Sequence, residues 1–143
     1  MTIKPITVDL IIFDLDGTLT DSIPGAIKSI QATLCELKIT PKTAEEINRH
    51  VGFGEIPLVK GAIGSDDPKL IEEAQRVYFK YYARDGIKNA PLYPHVREIL
   101  EFLKNKTIVI ISNKRDEFIR RIIEYHHLTP YFKEIFGGDS APC

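Results

Sequence analysis

A chain of 143 residues is long enough for one ordinary domain, or for a core with a small insertion. Hydrophobic residues at 43%, charged residues at 27% and a net charge of −1 describe a soluble globular protein with no special attraction to nucleic acid or to a membrane. No apolar run approaches the ~20 residues that span a bilayer; Met1–Pro5 starts no signal peptide, because Asp9 interrupts the only apolar stretch nearby, and Cys35 and Cys143 make no disulfide framework, which points to a reducing cytoplasm.

Val8 to Phe13 is the first predicted strand, and the apolar run Leu10-Ile11-Ile12-Phe13 reads as buried. It delivers Asp14-Leu15-Asp16-Gly17-Thr18, with the glycine allowing a sharp bend. Ser22 is placed to cap a helix with Pro24 at its first position, running to Leu37. Thr43 with Glu46 is a capping-box pair for a short helix reaching Arg49, and Gly52-Phe53-Gly54 breaks the helical pattern. Glu55 to Ile63 reads as a further helix ended by Gly64. Pro68 starts a long amphipathic helix through Leu70, Ala74, Val77, Tyr78 and Tyr81, ended by Asp85-Gly86. Asn89 to Pro94 is a linker, and Pro94 suits the start of a helix with Val96, Ile99, Leu100 and Leu103 on one face. Thr107–Ile111 is a second buried strand, Asp116 to His126 a helix, and Ile135-Phe136 a last short strand. There is no internal repeat and no low-complexity segment. Strands separated by crossover segments predict a parallel sheet, and the strandless block from 21 to 90 is too long for one crossover helix, so it reads as an inserted helical domain.

Two carboxylates at the C-terminal end of an apolar strand lie where open α/β sheets bind ligands. Like charges brought together there cost free energy, so the pair calls for chemistry that uses it. A divalent cation with a phosphorus electrophile does: one aspartate attacks, the other moves a proton, and Mg²⁺ neutralises the gathered charge. A solvated acidic turn is the alternative.

The run Phe-Asp-Leu-Asp-Gly-Thr-Leu-Thr-Asp-Ser behind a strand resembles the first motif of the haloacid dehalogenase-like hydrolases, and most of the chain is similar to their phosphoglycolate phosphatase-like branch. The resemblance implies an α/β fold with a Rossmann-like parallel core (1–20 and 91–143) and an inserted α-helical cap (21–90). It implies a Mg²⁺-dependent phosphatase acting on small phosphomonoesters through an aspartyl-phosphate, with Asp14 as nucleophile and Asp16 as acid and base. The Asp14 carboxylate and the Asp16 carbonyl would bind the metal. Asp16, an acid two residues after the nucleophile, favours ester hydrolysis over dehalogenation.

Ser112 and Asn113 end the second strand as Asp14 ends the first. They match the motif that binds the phosphoryl group, and they also suit a plain helix N-cap. Thr18 matches the motif threonine, which by the resemblance would hold the phosphate together with Ser112, and Thr20 offers a second hydroxyl. Lys114 either favours an anionic substrate or is solvated. Arg49, His50 and Lys60 are candidates for reading a second substrate anion, or are surface cations. His126-His127 reads as a helix end, and Tyr78, Tyr81 and Tyr82 as packing.

The resemblance stops at the C-terminus. In the family a third motif supplies a lysine and a fourth supplies further acids. Gly137 to Cys143 looks like the approach to that lysine, so the core is expected to be incomplete and this chain alone inactive. The first strand would then be an edge that favours self-association. The partner implied is a small phosphorylated metabolite. Alternative readings are a sugar phosphomutase, which Thr18 disfavours, a non-catalytic fragment that binds phosphate or a partner, and a phospho-accepting signalling domain, which the long helical block disfavours.

Overall fold

The computed structural model describes residues 7–140; the readings made for Met1–Pro5 and Cys143 lie outside them. Its sheet has three parallel strands in the order β1-β2-β3: Leu10–Phe13, Thr107–Ile111 and Glu134–Phe136. Phe13 pairs with Ile110 and Ile111 with Phe136, so all three C-terminal ends lie along one edge. Central β2 buries Ile108, Val109 and Ile110, as an apolar β-branched run between two neighbours should. β1 differs from its expected burial. Leu10 and Ile12, which share one face of the strand, are 52% and 54% exposed, and among the described residues β1 has a partner strand on one side only.

Between β1 and residue 90 lie four helices: α1 (Ile23–Glu36), α2 (Ala44–Asn48), α3 (Glu55–Ile63) and α4 (Pro68–Tyr81). α4 runs into a π-helical turn over Tyr82–Gly86, and a π turn inside a helix often marks a functional site. α2 carries the expected capping box, with Glu46 N–H donating to the Thr43 hydroxyl and Thr43 N–H to the Glu46 carboxylate. α1 departs from expectation twice. It starts at Ile23, one residue before Pro24, and the Ser22 hydroxyl caps no backbone group. Gly25 lies against the π turn so closely that a Cβ would meet the Gly86 carbonyl at 2.6 Å.

α5 (Val96–Phe102) also begins later than Pro94 suggests, because His95 takes a left-handed φ of 67° just before it. α6 (Asp116–Tyr125) follows β2 and buries Phe118, Ile119, Ile122 and Ile123. A hydrophobic cluster joins these side chains to Leu15 of the acidic turn and to Ile30, Ile47, Val59 and Tyr82 of the helical block. The two crossings between sheet and block run side by side. Tyr93 N–H donates to the Leu19 carbonyl at 3.0 Å, and Asp21 N–H to the Pro91 carbonyl at 2.9 Å. Among the described residues no helix is long and apolar enough to cross a membrane.

Candidate active site

The turn after β1 hangs on Leu15. Its side chain is fully buried, and its carbonyl accepts from the N–H groups of Thr18, Leu19 and Thr20 at 3.2, 2.9 and 3.0 Å. Alternate residues of an extended chain project to opposite sides, so anchoring Leu15 in the core throws Asp14 and Asp16 to the other face. Gly17 closes the turn at φ 79°, a conformation in which a side chain is strained.

Asp14 accepts a hydrogen bond from Leu15 N–H at 2.7 Å. Asp16 is clamped at both oxygens: Oδ1 accepts from the Ser22 hydroxyl, and Oδ2 lies 3.2 Å from Lys114 Nζ. The capping role read for Ser22 is thus replaced by a bond to the motif acid. Lys114 is 6% exposed, which removes the solvated alternative. Burial favours its neutral amine, but the phenols of Tyr82 and Tyr78 and the carboxylates of Asp16 and Glu55 around it hold its pKa above the usual lysine range. Its ammonium also sits 4.6 Å from the centre of the Tyr82 ring.

The loop after β2 supplies the opposite wall. Ser112 N–H donates to the Phe136 carbonyl at 3.0 Å, and Gly138 N–H to the Lys114 carbonyl at 2.9 Å. The first N–H of α6, that of Asp116, donates to Asp139 Oδ1 at 2.7 Å. Asp139 therefore caps α6, while the Ser112 hydroxyl accepts from Lys114 N–H at 3.5 Å and lines the site. Asn113 Nδ2 reaches across to the Gly52 carbonyl of the helical block at 3.2 Å.

Asp14, Asp16, Ser112, Asn113 and Lys114 line one cavity of about 60 Å³, closed from above by Val51, Gly52, Gly54, Glu55, Leu58 and Tyr78. At roughly 10–15 Å³ per water, that holds a few water-sized groups. Glu55 is the residue that sequence reading passed over. It is 8% exposed, and its Oε1 accepts from Arg115 N–H at 3.0 Å, tying the block to the β2 loop. Helical spacing carried the signal: Glu55 falls in register with Leu58, Val59 and Ala62, which puts an acid on the buried face of α3. Tyr78, read as packing, also faces this cavity, and burial raises its phenol pKa well above the ordinary value.

Several candidates lie elsewhere. Arg49 pairs with Glu45 at 3.7 Å and Lys60 with Asp66 at 2.6 Å, both on the surface. His50 packs its ring on Gly61, where a side chain would collide with it. Thr18 is exposed on the turn outside the cavity lining, and Thr20 is buried with its hydroxyl unpartnered among the described residues. Tyr81 lies on the outer surface of the block, bonded to Glu36 at 2.7 Å. α6 ends before His126, whose Nε2 lies 2.7 Å from the Ala90 carbonyl.

Among the described residues no cluster of three or more His, Cys, Asp or Glu surrounds a metal-sized site. Asp14 and Asp16 nevertheless offer hard oxygen donors. A small cation held by one or two carboxylates, with waters and substrate phosphate completing its shell, fits that set in kind.

Residues 11–142 match the family described as haloacid dehalogenase-like hydrolase. The phosphoglycolate phosphatase of Aliivibrio fischeri is 32% identical over 142 residues, which cover 93% of this chain and 63% of that protein. A crystal structure of a predicted phosphoglycolate phosphatase from Haemophilus somnus superposes with a TM-score of 0.87 at 27% identity, covering 94% of this chain and 64% of the other. A haloacid dehalogenase-like family hydrolase from Streptococcus pneumoniae gives 0.78 at 27% identity, with 94% and 62% covered. The chain thus spans less than two thirds of the length of these relatives.

Proposed function

Because the chain belongs to the haloacid dehalogenase-like hydrolase family, we propose that it takes part in hydrolysing small phosphomonoesters, with Asp14 as the covalent nucleophile. One observation carries this reading: two carboxylates, a hydroxyl and a buried ammonium, brought from the ends of two adjacent parallel strands, line a single phosphate-sized cavity. A site built only to bind phosphate gains nothing from two acids facing the anion. A site that attacks phosphorus and protonates a leaving oxygen needs both.

Asp14 attacks the phosphorus, and the bond to the leaving alkoxide breaks as the Asp14–phosphorus bond forms. Asp16 gives the alkoxide the proton that the preceding turnover left on it, and then takes one from the water that releases the phosphate, regenerating Asp14. Ser112, Asn113 and Lys114 hold the phosphoryl oxygens, a set that leaves Thr18 to the turn. Lys114 also stands beside the charge that collects on them. The Asp14 carboxylate and the Asp16 carbonyl would hold Mg²⁺, which would supply positive charge against the phosphoryl oxygens. The block from 21 to 90 serves as the cap, closing over the cavity and keeping bulk water out.

The direct test is phosphate release from a panel of small phosphate esters, with and without Mg²⁺, in the parent and in Asp14→Asn. Turnover that needs Asp14 supports the reading. Ester hydrolysis that survives the substitution overturns it.

A further inference from the structure

A second and larger cleft, of about 250 Å³, opens beside the phosphate-sized cavity and shares Gly54, Glu55 and Asn113 with it. Its lining includes Phe53, Ile56 and Pro57 on the helical block and Phe79 of α4, together with the polar side chains of Gln75, Asn113, Arg115 and Asp139. Phe53 and Ile56 are 70% and 58% exposed, and neighbouring large apolar side chains held in water at the mouth of a site mark a place where something apolar binds.

Charge in the cleft points the same way. It holds two carboxylates, those of Glu55 and Asp139, against one guanidinium, that of Arg115. The guanidinium is already engaged: it lies 4.7 Å over the Phe79 ring, with its Nε 3.7 Å from Asp139. A substrate carrying a second anion would find no free cation among the described residues lining this cleft, and Arg49 and Lys60 are paired on the outer surface. A flat uncharged group would instead lie between the Phe53–Ile56 wall and the Phe79–Arg115 stack.

We propose that this cleft, formed by Phe53, Ile56, Pro57, Phe79, Arg115 and Asp139, holds the alcohol part of the substrate and selects phosphomonoesters of uncharged, ring-bearing alcohols. The proposal rests on the phosphatase reading. It departs from the substrate named for the relatives, phosphoglycolate, whose alcohol part carries a carboxylate.

Benzyl phosphate, ethyl phosphate and 2-phosphoglycolate test it, since the first two differ in the ring and the third adds an anion. The expected kcat/KM for benzyl phosphate exceeds that for ethyl phosphate by about tenfold or more, as a filled apolar pocket gives. Phe53→Ser and Ile56→Ser, at exposed positions where folding is not at risk, should bring the benzyl-to-ethyl ratio towards one. A ratio near one in the parent, a ratio untouched by both variants, or faster turnover of 2-phosphoglycolate than of benzyl phosphate would overturn the proposal. An untouched ratio would leave Phe53 and Ile56 as a protein-docking patch. If this chain, which spans less than two thirds of the length of its relatives, hydrolyses no ester at all, binding decides the cleft separately. NMR titration should then show benzylphosphonate binding about tenfold tighter than methylphosphonate and shifting Phe53 and Ile56. Equal affinities would sink the cleft assignment.

Discussion

Lys114 Nζ lies 3.2 Å from Asp16 Oδ2, and the lysine is 6% exposed while the aspartate side chain keeps 20%. The two come from loops 98 positions apart in sequence, after β1 and after β2, and meet because Phe13 and Ile110 are register partners. A buried ammonium is tolerated only where anions answer it, and here Asp16 and Glu55 do so on opposite sides of the cavity. The same ammonium is therefore fixed in place before any phosphate arrives.

Lys114→Met should keep the fold and lose rate. Methionine fills the space beside Tyr82, and Asp16 keeps the Ser22 hydroxyl as a partner, so the fold should persist with a lowered Tm. A preorganised charge facing developing phosphoryl charge is worth roughly 10²-fold in kcat. Steady-state kinetics on ethyl phosphate check this, alongside thermal melting. A rate within threefold of the parent would make Lys114 a purely structural partner of Asp16.

The two acids should separate in their effects. Asp14→Asn removes the attacking oxygen and is expected to cost on the order of 10³-fold or more in kcat. Asp16→Asn leaves the nucleophile and the hydrogen bond from Ser22, so a phosphate analogue such as vanadate should still bind while turnover falls about 10²-fold. Loss of vanadate binding together with rate would assign Asp16 to the binding shell.

How much of this was legible in the chain depends on the range of the interaction. β2, the capping box of α2, the bounds of α3 and the placing of Asp14 beside Ser112 all follow from local spacing and from strand adjacency. Ser22 and Asp139 escape local rules: one looks like a cap and bonds Asp16, the other lies beyond β3 and caps α6. Lys114 gave no sign of burial, because its neighbours Tyr82 and Asp16 are remote in sequence. Glu55 did give one, in its register with Leu58 and Val59, but a first-turn glutamate reads equally well as a dipole partner. For Arg49 and Lys60 the surface-cation alternative holds, each being answered by an acid on its own side of the block.

The helical block should move as a unit about the paired crossings. Backbone hydrogen bonds join Leu19 to Tyr93 and Asp21 to Pro91, whereas the seam over the cavity is tied by Glu55 to Arg115 N–H and by Asn113 to Gly52. Glu55→Ala should open that seam, seen as faster amide exchange at Gly52 to Glu55 with unchanged exchange at Asp21 and Tyr93. Glu55→Gln keeps an acceptor for Arg115 N–H and should restore most of the protection. Equal exchange in all three proteins would show that the Tyr82–Phe118 packing, at 4.9 Å between ring centres, holds the block shut by itself.

The start of α6 should make stability depend on acid in a predictable way. The Arg120 guanidinium, bonded to both carboxylate oxygens of Asp116, holds that carboxyl below the usual aspartate range against the opposing effect of partial burial, with further help from the Ser140 hydroxyl. A depressed folded-state pKa means that the unfolded chain takes up its proton first as pH falls. The stabilisation is therefore complete above the unfolded value of ~3.9 and is lost as pH drops through the lower folded value. Asp116 is 26% exposed at its side chain, so the interaction is worth about 1 kcal/mol at most, or some 2–4 °C in Tm for a chain of this size. Asp116→Asn should lower Tm by that amount at pH 7, and the gap between parent and variant should close progressively as melting is repeated below pH 4. A gap that stays constant down to pH 2.5 would place the effect in packing or in the Asp139 cap, neither of which requires Asp116 to be charged.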